Sequence, residues 1–219
     1  MLKNKSIIIV IIGLIGVLIT GFAIFRFYHK QNTPFKWKYK KELEYELDNL
    51  EVNSIDYKGI YDSSNGYILK FRINGNIVDD SMLFDTVKVF NTVIGLTNES
   101  SHPMYHKNFT IAVSSDKNYE SSFLKFDYNY NHNSISVDIT NSSVQDFFCL
   151  NDIEYTSINL NIVHDELFEI DNILRVKNIA NLSIVDCYNI RNNKHNRIVI
   201  DEKDINRLKE KNPNISIIN

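Results

Sequence analysis

Apolar positions recur along the chain with two different periods, and the change of period predicts its elements. After Pro34, apolar residues at Phe35, Tyr39, Leu43, Leu47 and Leu50 follow a near-helical spacing, predicting an amphipathic helix over 34–50. Lys36, Lys38, Lys40 and Lys41, then Glu42, Glu44, Glu46 and Asp48, occupy its other faces and read as a solvated surface. The period then shortens to two. Residues 57–61, and Tyr67, Leu69, Phe71 and Ile73 against Lys70 and Arg72, predict two strands joined through Ser63, Ser64, Asn65 and Gly66. Ser81 is placed to cap a helix with the stripe Leu83, Val87, Phe90 and Ile94, and Gly95 to end it. Alternation resumes at Phe109, Ile111 and Val113, at Leu124, Phe126, Tyr128 and Tyr130, and at Ile135, Val137 and Ile139. The turn residues Asn131, His132 and Asn133 make the last two strands an antiparallel hairpin.

From about residue 143 strand-like and helix-like stretches take turns. Ser143 is placed to cap a short helix through Phe147 and Leu150. Ile158, Leu160 and Ile162 predict a strand, and Leu167, Ile170 and Leu174 a helical stripe. Leu182 and Ile184, then Ile198 and Ile200, predict further strands. A helix at Ile205 and Leu208 precedes a last strand at Ile215 and Ile217. Strand-helix-strand order argues for parallel pairing. The expected class is α+β: an N-terminal transmembrane helix, then a mainly antiparallel sheet with a packed helix, continuing into a C-terminal strand-helix repeat. The expected divisions are a basic flank (1–5), an anchor (6–28), a juxtamembrane amphipathic helix (34–50), an α+β region (51–142) and a strand-helix region (143–219).

The anchor rests on residues 6–25, which carry no charge. As a helix they span about 30 Å, the thickness of a bilayer's hydrocarbon core. Lys3 and Lys5 precede the run, while Arg26, Phe27, Tyr28, His29 and Trp37 follow it like an interfacial belt. No A-x-A-like site follows, which favours a retained span over a cleaved signal peptide. The expected partner of residues 6–28 is therefore the lipid bilayer. Basic residues on the C-terminal flank argue for a cytoplasmic domain. A five-residue basic head and a long translocated domain argue the reverse, and the expectation adopted is an extracytoplasmic domain on a single-pass cell-membrane protein.

Charge narrows the partners. The 219 residues hold 24 Lys+Arg and 27 Asp+Glu. Lys3, Lys5, Arg26 and Lys30 have no acidic counterpart before residue 31, so the rest of the chain is net acidic. That excludes a basic nucleic-acid-binding surface. Asn (29) and Ile (31) make up over a quarter of the chain, a bias that A/T-rich codons produce. The sequons at Asn98, Asn108, Asn141, Asn181 and Asn214 follow from that abundance. Cys149 and Cys187 are too few for a disulfide framework and read as free thiols rather than a bridge.

Ile179, Leu182, Ile184 and Cys187 occupy the constrained positions of L-x-x-L-x-L-x-x-[NC], and Tyr155, Ile158 and Leu160 match its first half. Asp204 to Leu208, then Pro213 to Ile217, read as a repeat's helix and its next strand. Residues 153–219 thus resemble leucine-rich repeats, with an ordinary βαβ extension as the alternative. The resemblance implies that Cys187 points inward and bonds to loop backbone. It also implies a ligand-facing strip of Ser157, Asn159 and Asn161, then Asn181, Ser183 and Val185, then Asn214, Ser216 and Ile218. The family implies protein contact rather than catalysis.

Chemistry is otherwise sparse. His102 and His106 have metal-ligand spacing, but Pro103 and a Ser/Asn loop disfavour a helix there. His164, Asp165 and Glu166, and Asp79 with Asp80, precede expected helices and read as capping. Seven glycines leave little material for a phosphate loop, and no nucleophile elbow or calcium loop occurs. No catalytic residue, metal or cofactor is expected. The expected function is a membrane-anchored, non-enzymatic domain that binds another protein or a copy of itself. A membrane-tethered enzyme of unrecognised type and a cytoplasm-facing adaptor are the alternatives.

Overall fold

The strands that alternation predicts pair in chain order. The computed structural model describes residues 20–21, 40–63, 66–73, 75–99, 108–115, 122–153, 156–163, 170–191 and 194–218. Two compact units emerge, residues 1–45 and residues 46–219. In the first, residues 40–45 begin the stretch α1, helical over 40–48, with Leu43 buried and Tyr45 exposed.

The second unit is one eight-stranded sheet with order β1-β2-β3-β4-β5-β6-β7-β10. Its strands are β1 (Ile55–Ser63), β2 (Gly66–Ile73), β3 (Asn108–Ser114), β4 (Phe123–Asn129), β5 (Ser134–Thr140), β6 (Ser157–Val163), β7 (Ile179–Val185) and β10 (Ser216–Ile218). The pairs β1/β2, β3/β4 and β4/β5 are antiparallel. The pairs β2/β3, β5/β6, β6/β7 and β7/β10 are parallel. Parallel neighbours need a crossover, and each crossover carries a helical element. These are α2 (Asp80–Glu99), the 3-10 turn η2 (Phe148–Asp152), α3 (Ile170–Ile173) and α4 (Glu202–Lys211). The β4–β5 hairpin turns through the 3-10 turn η1 (Tyr130–His132), where Asn129 Oδ1 accepts from the N–H groups of Asn131 and His132. Asn133 leaves that turn in the left-handed region at φ 44°. A short ribbon of β8 (Tyr188–Arg191) and β9 (Lys194–Arg197) stands apart from the sheet.

Strict alternation puts one set of side chains under the helices. Leu69, Phe71, Phe109, Ile111, Leu124, Phe126, Ile135, Val137, Ile158, Leu160, Leu182 and Ile184 are all buried. Phe90 of α2 meets Phe109, Phe126 and Tyr128 with ring centroids 5.6, 6.0 and 5.8 Å away. Side chains tie the helical layer together sideways. Asn91 of α2 donates to the Asp152 carbonyl, Asn151 to the Arg175 carbonyl, and Arg207 of α4 pairs with Asp171 of α3 at 2.9 Å. At the other end of the sheet, β2 starts so close to β3 that a Cβ on Gly66 would collide with the Asn108 carbonyl oxygen.

Several expectations are corrected. In place of a mainly antiparallel sheet continuing into a strand-helix repeat there is a single mixed sheet of eight strands. β5 pairs with β6 from Ser134↔Ser157 to Thr140↔Val163, so the sheet runs without a break and holds more parallel pairs than antiparallel ones. Periodicity reports which face a residue takes, and says nothing of a neighbour's direction. The expected transmembrane helix is not among the described helices, none of which is long and apolar enough to cross a membrane. Of residues 6–28, only 20 and 21 are described. Asp79, not Ser81, caps α2: its Oδ1 accepts from the Met82 N–H at 3.1 Å and from the Ser81 hydroxyl. The helix runs through Gly95 to Glu99, since nothing there requires a left-handed residue. Ser143 caps no helix but donates to the Val78 carbonyl. Ile198 and Ile200 lie beyond β9 in a loop, where the Ile198 N–H donates to the Cys187 carbonyl.

Candidate functional site

The face away from the helices belongs to the other alternation set, and register orders it into rows. One row runs Thr110, Asp127, Ser136, Asn159, Asn181 and Ser216. The next runs Lys125, Asp138, Asn161, Ser183 and Ile218. A third, at the carboxyl ends of β5, β6 and β7, runs Phe123, Thr140, Val163 and Val185. The face is thus graded: the first row is amides and hydroxyls apart from Asp127, the second holds Lys125 and Asp138 before Asn161 and Ser183, and the third is apolar apart from Thr140. Val185 is 38% exposed and Ile218, diagonal to it, 60%.

Polar neighbours on this face satisfy one another. Thr110 Oγ1 donates to Asp127 Oδ1 at 2.5 Å, and Lys125 forms an ion pair with Asp127 and a longer one with Asp138 at 3.9 Å. Asn161 Nδ2 donates to Asp138 Oδ1 at 3.3 Å, and Asn181 Nδ2 to Asn159 Oδ1 at 2.5 Å. Such cross-strand pairs hold the outer side chains in one arrangement.

Every residue of the strip expected from the repeat resemblance is described. Asn159 stands beside Asn181, which stands beside Ser216, and Asn161, Ser183 and Ile218 form the adjacent row. Ser157 pairs with Ser134, Val185 with Val163, and Asn214 lies just before β10. The register differs from the motif alignment. Leu160, not Ile158, faces Leu182, and β7 carries an extra residue between Ile179 and Asn181. A two-residue offset preserves which face each side chain takes. Cys187 is buried, with Sγ 3.6 Å from the carbonyls of Ile162 and Val185. Sequence reading missed the apolar row and the Lys125–Asp127–Asp138 cluster. Their phase was visible in each strand, but their adjacency depends on pairing.

Elsewhere, polar chemistry is structural. Asp85 of α2 accepts from the N–H groups of Asn53 and Ser54 at 2.9 Å and from the Ser54 hydroxyl at 2.7 Å, with Lys88 at 3.6 Å. Burial alone would raise its pKa. The bonds from Ser54 and Asn53, aided by Lys88, outweigh that and hold it below the usual 3.8. Asp80 Oδ1 receives the N–H groups of Gln145 and Asp146. Both cysteines are free. Burial, then Asp146, Asp152 and Asp80, push the Cys149 thiol up to about 12, which keeps it protonated and unreactive at neutral pH. Burial, with Tyr130 nearby, also raises Tyr128. His29, His102, His106 and residues 164–166 lie outside the described residues. Among the described residues no group of three or more His, Cys, Asp or Glu could hold a metal ion.

The amino-end side of β5, β6 and β7 holds two adjoining clefts. One, of about 870 Å³, lies among Asn91, Ile94, Tyr128, Tyr130, Asn131 and Thr156. The other, of about 670 Å³, shares Thr156 and continues past Ser157, Asn178, Ala180 and Asn214. Comparison with family models, curated proteins and solved structures finds no match for this chain.

Proposed function

We propose that residues 46–219 form a non-enzymatic recognition domain whose open sheet face docks another protein. The observation that carries this reading is the grading of that face. A row of Phe123, Val163 and Val185, interrupted by Thr140 and extended by Ile218, lies beside rows of amides, hydroxyls and charges. Apolar side chains exclude water and supply affinity, while flanking charges and amides select orientation. The cross-strand hydrogen bonds reduce the entropy lost when the face is covered.

The test places a photo-crosslinking residue at Ser183 on the open face, and a control at Lys88 on the helical side. The expected result is a discrete adduct from position 183 alone. It disappears when Val163→Asp and Val185→Asp are introduced, with the thermal midpoint unchanged. A smear from both positions, no adduct at all, or an adduct indifferent to the two aspartates would overturn the reading.

A further inference from the structure

Asparagine at the amino ends of the parallel strands divides into two groups. One group is spent on the fold. Asn212 accepts from the Ile179 N–H at 2.9 Å and donates to the Val176 carbonyl at 3.1 Å. Asn151 accepts from the Lys177 N–H and donates to the Arg175 carbonyl, and Asn108 accepts from the Tyr130 N–H. These amides stand in for missing backbone partners.

The second group is Asn131, Asn178 and Asn214. All three are exposed, and their side-chain amides make no hydrogen bond among the described residues. Each stands at a constrained point of backbone. Asn131 sits in η1 with its N–H held by Asn129, Asn178 is in the left-handed region at φ 63°, and Asn214 precedes β10. All three line the two adjoining clefts, with Tyr130 at one end.

We propose that this trough binds a neutral oligosaccharide. An amide offers two donors and an acceptor, which matches the mixed donor and acceptor character of sugar hydroxyls. A tyrosine wall suits the apolar C–H side of a sugar ring while its hydroxyl stays wet. Among the described lining residues the charges are one acid, Asp152, in the first cleft and one base, Lys211, in the second. A phosphate polymer needs a run of cations, so the lining disfavours nucleic acid. A protein partner needs aromatic, aliphatic or Arg anchors at its centre. Phe90, at the floor, is 1% exposed, which leaves half-buried Ile94 and the tyrosine wall as the first cleft's apolar contacts, too few for a protein's anchor cluster. The trough meets the open sheet face only at Ser157 and Asn214, whereas the docking reading is carried by Phe123, Val163 and Val185, so failure of one leaves the other untouched.

Saturation-transfer NMR on the full chain tests the inference with cellobiose, maltose and N,N′-diacetylchitobiose, and with a sulfated heparin disaccharide as the anionic arm. Transfer to at least one neutral disaccharide is expected, with affinity weakened about tenfold in the Asn131→Ala, Asn178→Ala double variant. Because both amides are exposed, that variant should stay folded, its thermal midpoint lowered only by the strain of alanine in the left-handed region at position 178. Tyr130→Ala should weaken transfer to ring protons most. No transfer to any neutral disaccharide, equal transfer in the double variant, or preference for the sulfated probe would overturn the proposal.

Discussion

The two faces of the sheet are made by the same strands and obey opposite rules. On the helical side, side chains interlock without directional bonds: Phe90 packs against Phe109, Phe126 and Tyr128, and aliphatic residues fill the remaining space. On the open side the ordering comes from pairwise hydrogen bonds such as Asn181 to Asn159 and Asn161 to Asp138. A packed interior resists any change of volume, whereas each open-face pair can be replaced by water at little cost. One face therefore holds the fold and the other is left to recognise.

The sharpest way to break this contrast is Phe90→Ala. Losing a ring that touches three aromatic neighbours on two strands should cost about 3–5 kcal/mol, read as a lowered urea midpoint with the slope unchanged. A loss under about 1 kcal/mol would mean that the helical layer is not the main source of stability.

Asp85→Ala ranks next. It strands the N–H groups of Asn53 and Ser54 beside α2 and should cost about 1–3 kcal/mol. Its pH dependence has a definite sign. The folded pKa is depressed, so the native state holds fewer protons than the unfolded chain near pH 3.8. The Asp85 contribution is complete above that value and is lost as pH falls through the lower folded value. Acid titration of stability should therefore fall more steeply below pH 3.8 for the wild type than for Asp85→Ala; parallel curves would rule out the latch.

A comparable effect and the smallest one separate two asparagines. Asn212 is 5% exposed and serves two backbone partners, so Asn212→Ala should cost about 1–3 kcal/mol. Asn159→Ala removes one open-face pair and should stay within about 0.5 kcal/mol. Equal losses in chemical denaturation would erase the proposed division of labour between the faces.

Much of the local structure was readable from residue order. The alternations at Tyr67–Leu69–Phe71, Phe109–Ile111–Val113 and Ile135–Val137–Ile139 identified both the strands and their buried sides. The turn at Asn131 to Asn133 identified the β4–β5 hairpin. Capping was less readable, because Ser81 and Asp79 are both good caps and only the geometry shows Asp79 accepting from Met82. The asparagine bias looked like a codon effect, yet Asn91, Asn108, Asn151 and Asn212 each hold a loop in place.

What residue order determined by itself was the phase of each strand, since a period of two is set by local backbone geometry and hydrophobicity alone. What only the tertiary structure decided was adjacency. Hairpin and crossover strands look alike in their own residues, and direction is set by how the connecting chain packs over the sheet. Hence the outward positions Asn159, Asn161, Asn181 and Ser183 could be named from the sequence. Their registered neighbours, and the apolar row from Phe123 to Val185 beside them, arose only when eight strands came together.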